Sequence, residues 1–514
     1  MAQSGVIALL LLGDVASGQM IDNTQATNSA KAGINKSLSD EIGPGRSDVM
    51  TPDSSIYNIE RDPFRAIRRG RQLFQRKFTR TQGQGPNEGD GVGDLNTNIA
   101  IGAGLADSCA LCHGRPRGSA GAGGNVVTRP DSRDAPHLFG LGLREMLGDE
   151  ITTDLRAIRD LAIARARQRN TPVTMMLASK GITYGRITAN PDGSLDTSAV
   201  SGVDPDLRVK PFFAEGSSFS IRQFTVGGLH NEMGLEASSD PDILAASRGQ
   251  RVITPSGMVL DGSQDKIDPP PPPDQENGNE VDPAIVDYLE FYLLNYFKPA
   301  HDAQDGTTDH GRRVFNRIGC GSCHVANLTI DHDRRVADVE TVYDSTHGIF
   351  NSLFATAKTL FYTQDDGSGN PVMKLPAGRP FVVSDIFTDL KRHDLGPSFY
   401  ERKWDGTLQT VFMTRPLWGV GSTGPYGHDG RSITLNDVIL RHGGEAQAAR
   451  DSFAALRAEE RNALIAFLNS LVLFPPDDTA SNLDPGNPST LNFPQFGHGS
   501  IKLTVLFNDP TNPE

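Results

Sequence analysis

The 514-residue chain has four cysteines, arranged as two copies of one short pattern, and no other feature narrows the possible architectures as far. The segments are SCALCHG (Ser108 to Gly114) and GCGSCHV (Gly319 to Val325), each a C-x-x-C pair followed at once by histidine. Two thiols three positions apart on one turn can each add to a porphyrin vinyl group, and the next residue then sets an imidazole under the iron. C-x-x-C-H is therefore read as covalent c-type haem attachment. A redox dithiol needs one such pair and no trailing histidine, and a zinc site usually holds its pairs much closer than the roughly 200 residues that separate these. Cys109, Cys112, Cys320 and Cys323 are thus the expected haem attachment points, with His113 and His324 as proximal iron ligands.

Haem attachment of this kind belongs to an exported compartment, which gives meaning to the N-terminus. The run from Val6 to Gly13 is apolar but far short of the roughly 20 residues a bilayer span requires. With small residues Ala16, Ser17 and Gly18 behind it, it reads as an export signal over residues 1–18, although no Lys or Arg precedes it. A periplasmic or secreted protein with no membrane span is expected. The formal net charge of -14 disfavours nucleic acid and anionic lipid and suits a basic protein partner.

The chain is also written twice. GRQLFQR (Gly70 to Arg76) precedes the first motif and GRRVFNR (Gly311 to Arg317) the second. Phe315 stands five residues before Cys320 but Phe74 stands 35 before Cys109, so about 30 polar, Gly- and Asn-rich residues are inserted in the first copy, and they are read as loop. Downstream, PHLFGLG (Pro136 to Gly142) answers PLWGVG (Pro416 to Gly421), and each follows an arginine, Arg133 or Arg415, able to pair with a haem propionate or with a surface acid. Each copy closes on an apolar helix. Asp282 and Pro283 cap the first, and Leu464, Phe467, Leu468 and Leu471 line one face of the second.

These patterns predict a mainly α protein built as two cytochrome c-like haem domains in tandem with long loop insertions. The domains are placed at residues 51–299 and 300–475, with an irregular tail over 476–514. Gly (54) and Pro (33) agree with extensive loops.

Function turns on what fills the sixth position of each iron, because a haem with two protein ligands carries electrons and one with an open face binds peroxide or dioxygen. In SITLNDVILRHGG, Leu435, Val438, Ile439 and His442 recur at helical spacing, and Gly443 and Gly444 end the helix. His442 is the candidate sixth ligand opposite His324; a core histidine bonded to a carbonyl is the alternative.

GPYGHDGRSITLNDVILRHGGEA (Gly424 to Ala446) and GRRVFNRIGCGSCHVANL (Gly311 to Leu328) resemble the di-haem oxidoreductases, often labelled thiol oxidoreductases, of the bacterial di-haem cytochrome c peroxidase superfamily. In the classical peroxidases the position 14 residues after the histidine of H-D-G supplies a methionine to the electron-transfer haem. Counted from His428, that position is His442, so the resemblance implies a bis-histidine pair of His324 and His442, with a lower potential than a thioether would give. FFAEGSSFSIRQFTVGGLHNEMGLE (Phe212 to Glu236) is similar to the peroxidase segment ending in Glu-Met-Gly, which implies Glu232 over the open haem as the group that takes and returns a proton during peroxide cleavage. Met233, His230 and His137 are rival sixth ligands there. The superfamily's Trp between the haems is replaced at the aligned position by Ala214, and only Trp404 and Trp418 are present.

The expected function is an exported di-haem c-type oxidoreductase, with one bis-histidine haem and one open haem, that reduces peroxide or runs an oxidation on peroxide or dioxygen. The alternative is a pure electron carrier with both irons six-coordinate. The implied cofactors are two covalently bound c-type haems, with calcium raised by relatives that hold it between their domains. The implied partners are a redox protein, a small cytochrome or cupredoxin, and a small-molecule oxidant.

Overall fold

The computed structural model of the protein describes residues 37–78, 106–114, 120, 125–126, 133–272, 280–296, 304–343, 353–403 and 406–473. The export signal at 1–18, the proposed seam at 300, most of the first-copy insertion, Trp404 and the tail at 476–514 lie outside the described residues.

The sequence repeat is a repeat of packed helices. Helix Pro63–Gln75, which ends in the first copy of the G-R-x-x-F pattern, packs on helix Pro283–Asn295, and helix Gly306–Arg317 packs in the same way on helix Ala458–Asn469. The repeated glycines explain the closeness. A Cβ on Gly70 would overlap the carbonyl oxygen of Tyr288, and one on Gly311 would overlap that of Ala463. A second pair follows the same rule, since Gly142 abuts the carbonyl of Leu294 and Gly421 that of Asn469. Gly311→Ala is therefore expected to lower stability by about 1–3 kcal/mol through overpacking, although alanine in a free helix gains about 1 kcal/mol over glycine. A denaturant midpoint that stays put or rises would show that the two helices separate freely.

The caps form where the residue types call for them. Asp282 accepts from the Ala284 amide at 2.8 Å with Pro283 at the first helical position. Helix Pro283–Asn295 is then buried nearly all round in the first apolar cluster, with Tyr288, Tyr292 and Phe74. Leu464, Phe467, Leu468 and Leu471 are buried as their spacing requires, beside Val314, Phe315, Phe387 and Phe453. Between these lies a third cluster around helix Leu141–Arg169, in which Leu143, Met146 and Leu147 meet Leu328, Ile330, Val383 and Trp418. The two repeats thus share apolar packing.

The expected mainly α class is corrected. Strands stand beside the helices, and among the described residues they form eight small antiparallel sheets, seven of two strands and one of three. Nor do the elements display a tandem of cytochrome c-like domains. The largest departure is the hairpin Val173–Ser179 with Ile182–Ala189, where Leu177, Tyr184 and Ile187 are buried against helix Leu141–Arg169. Its alternating Thr, Ile and Val residues are strand formers. Pairing into hairpins satisfies the backbone groups of these strands locally.

Candidate functional site

The first motif begins with Ser108, whose hydroxyl accepts from the Leu111 amide at 3.2 Å and caps the short helix Cys109–His113. That single turn brings Cys109, Cys112 and His113 together. Both sulfurs pack against the first apolar cluster and form no disulfide. Burial, then the neighbouring Cys112, pushes the Cys109 thiol up to about 12; burial, then the charges of Glu232 and Asp107, pushes Cys112 up to about 11. The Nδ1 of His113 lies 2.8 Å from the Pro136 carbonyl. Burial lowers this imidazole to about 4 against the pull of that carbonyl. It is neutral, with Nδ1 held by that carbonyl, the form in which histidine binds a metal through Nε2.

The second motif repeats this chemistry. Cys320–Ser322 form a short turn, and His324 places Nδ1 3.0 Å from the carbonyl of Phe387. Phe387 is a non-glycine residue at φ 52°, flanked by Asp385 at 56° and Leu390 at 51°. Such conformations are costly for branched or bulky residues and persist where the surroundings enforce them; here the strained loop aims a carbonyl at His324. His442 follows helix Leu435–Arg441 as its C-cap, with Nδ1 2.7 Å from the Val438 carbonyl. It sits one residue beyond the helix that its spacing suggested. Burial lowers His324 to about 4, opposed by the Phe387 carbonyl, and lowers His442 as well.

Cys320, Cys323, His324 and His442 line one cavity of about 480 Å³ with largely apolar walls that include Phe399, Phe412 and Trp418. This is the scale of a cofactor pocket. Two thiols, two neutral imidazoles with Nδ1 held by backbone carbonyls, and largely apolar walls are a donor set that fits a haem. Arg415 lines the same cavity, while the side chain of Arg133 lies outside the described residues.

Glu232 sits in the π-helical turn Leu229–Met233, which continues helix Ile221–Gly228, and its carbonyl accepts from the Ala106 amide at 3.1 Å, just ahead of the first motif. Its charge acts on Cys112. Turns of this kind are frequent at functional sites. Of the rival ligands, Met233 is buried and His230 has Nδ1 3.1 Å from a Glu236 oxygen. His137 instead lines the cavity of the second motif, with Nε2 3.0 Å from the Trp418 carbonyl and burial lowering it to about 3. Ala214 is buried beside Phe399 and Phe412.

Two constellations escaped the reading of the sequence. His428, used there only as a counting mark, is buried with Nε2 2.8 Å from Glu401, and Phe412 is stacked on its ring at 4.1 Å. His393 lies on the cavity wall between Asp389 and Glu445. His428 with Glu401 and His393 with Glu445 join residues that no period relates, so spacing gives no signal for them. Cys323, Asp389 and His393 form the one group of three metal-capable side chains among the described residues, and this mixed set differs from the oxygens that calcium takes.

Residues 326–471 match the family model described as "Di-haem oxidoreductase, putative peroxidase". The stretch holds Phe387, His393, Trp418, His428 and His442, while both C-x-x-C-H motifs precede it. No curated protein matches the chain. Among solved structures, the chain is similar to Kuenenia stuttgartiensis hydrazine synthase pressurized with xenon, at 14% identity over 88% of this chain and 99% of that one, with a TM-score of 0.30. It is also similar to a MauG-like protein associated with microbial copper homeostasis, at 13% identity over 65% and 89%, with a TM-score of 0.26. Both are loose likenesses. No helix among the described residues is long and apolar enough to cross a membrane.

Proposed function

We propose that the protein is an exported di-haem c-type oxidoreductase with divided roles. Cys320 and Cys323, with His324 and His442 as iron ligands, would hold a haem for electron transfer; Cys109 and Cys112, with His113, would hold a second, where Glu232 would meet an oxygen species. The observation that carries this reading is the pair His324 and His442, two neutral imidazoles on one apolar cavity with Nδ1 tied to backbone carbonyls. When bound, the haems supply one-electron redox chemistry and, where a coordination site is open, activation of an oxygen species.

The protein's own share is to hold ligands and move protons. The two backbone carbonyls fix the tautomer and orientation of His324 and His442, so that the ligands need little reorganisation when the charge of the site changes. At the first site the Glu232 carboxylate takes a proton from one oxygen of hydrogen peroxide and returns it to the other as that oxygen leaves as water. Two electrons and two protons complete the reduction to two waters, with the electrons drawn from a small cytochrome or cupredoxin. The net charge of -14 favours a basic donor surface. Peroxide reduction, or an oxidation driven by peroxide or dioxygen, follows.

Glu232→Gln keeps the shape and removes the proton acceptor. It is expected to retain both haems while slowing peroxide turnover by about 10²-fold or more, the scale of general acid–base catalysis. Steady-state turnover at matched haem content reads this directly, and an unaltered rate would remove Glu232 from the role.

A further inference from the structure

His393 has both ring nitrogens on carboxylates, Nε2 2.9 Å from Asp389 and Nδ1 2.7 Å from Glu445. Carboxylate oxygens only accept, so both nitrogens must donate and the ring is an imidazolium. Burial alone would push it down, but the hydrogen bond and charge of Asp389, with the bond to Glu445, raise it. Asp389 is buried, so this ion sits in a partly dry wall where charge-assisted bonds are strong.

The two carboxylates belong to different sides of the site. Asp389 lies two residues after Phe387, whose carbonyl holds His324, and Thr388 between them donates its amide to Val325, next to His324, at 3.0 Å. Glu445 lies three residues after His442. Its other oxygen accepts from the Asp394 amide at 3.0 Å, and the Gly443 amide donates to Leu395 at 2.9 Å. Segment 387–396 therefore touches the His324 side at one end and the His442 loop at the other, and His393 is where the side chains of both sides converge.

We propose that the Asp389–His393–Glu445 triad is a strap that holds the His442 loop in register with His324, which makes His393 and Glu445 positioning residues for the sixth ligand. The proposal rests on the His324 and His442 reading above. Without the strap, the His442 loop keeps its backbone bond to Leu395 but loses the ion that closes it onto the wall, so the imidazole spends part of its time off the iron. The His324 side keeps its carbonyl and stays in place.

The test uses the fully matured, haem-loaded chain carrying Glu445→Ala or His393→Phe. Electron paramagnetic resonance and cyanide binding are followed at each haem, with Glu445→Asp as the conservative variant. In both disruptive variants the second haem is expected to show a high-spin fraction absent from the unaltered protein and to bind cyanide at least tenfold faster. The first haem should be unchanged, and Glu445→Asp should recover most of the low-spin signal. Adding both changes should do little more than the stronger one, because the residues act as one unit. Glu445 is 56% exposed in its side chain, so its variant carries the test even where His393→Phe fails to mature. A second haem that stays wholly low-spin and inert to cyanide in Glu445→Ala overturns the strap alone. A second haem whose spectrum is also indifferent to His442→Ala overturns the bis-histidine reading and the strap with it.

Discussion

His442→Ala is expected to leave two haems attached and to turn one of them from low spin to high spin, with the other spectrum unchanged. Alanine removes the imidazole whose Nδ1 is held by Val438 while leaving helix Leu435–Arg441 intact, because the capping box of Thr434 and Asp437 lies at the opposite end. The loss is local, since Phe399, Phe412 and Trp418 still wall the cavity. Added imidazole should enter the vacated space and restore the low-spin spectrum, which a general loosening of the fold would not allow. A second haem that remains low-spin in the variant would show that another side chain is the ligand, and His428 and His137, both on the same cavity, would be the residues to replace next.

Arg222→Ala is expected to cost about 3–5 kcal/mol of stability, the range for removing one partner of a buried ion pair. Arg222 is fully buried at the start of helix Ile221–Gly228 and donates to Asp240 at 3.0 Å, Asp287 at 2.7 Å and Glu290 at 2.6 Å, with Asp242 3.4 Å away. Burial already pushes Glu290 up to about 7 against the pull of Arg222, a sign of how little charge compensation is spare. Removing the guanidinium leaves four carboxylates facing one another, with Arg46 on Asp242 and Asp287 as the remaining ion-pair partner among the described residues. The same helix runs on into the turn that carries Glu232, so the damage should reach the first haem site as well as the denaturant midpoint. A loss below about 1 kcal/mol would mean that the carboxylates reach water or share protons freely.

What could be read from the residues divides along a physical line. Interactions local in sequence were legible: the two C-x-x-C-H turns, the Asp282–Pro283 cap, the buried stripe of Leu464, Phe467 and Leu468, and His442 at the end of its helix all follow from spacing within a few residues. The repeated glycines Gly70 and Gly311 were visible as a pattern, but their reason, contact with a carbonyl more than 100 residues away, was not. Strands were missed because pairing such as Leu328 with Val383 spans a long interval of chain, and short alternating runs between strong motifs look like loops. His393 with Glu445 and His428 with Glu401 belong to the same kind. Each joins residues that no period relates, and only the folded chain sets a donor opposite an acceptor. His137 is the reverse case, a histidine in the right motif that packing turns toward the cavity of the second motif.

The most direct test of the central claim is electron paramagnetic resonance of the ferric, fully matured protein, with haem content fixed on the same sample by the pyridine haemochrome assay. The proposed function requires two covalently bound haems per chain, one low-spin and one high-spin in equal amounts. Fewer than two haems, or two low-spin signals and no high-spin one, would contradict it.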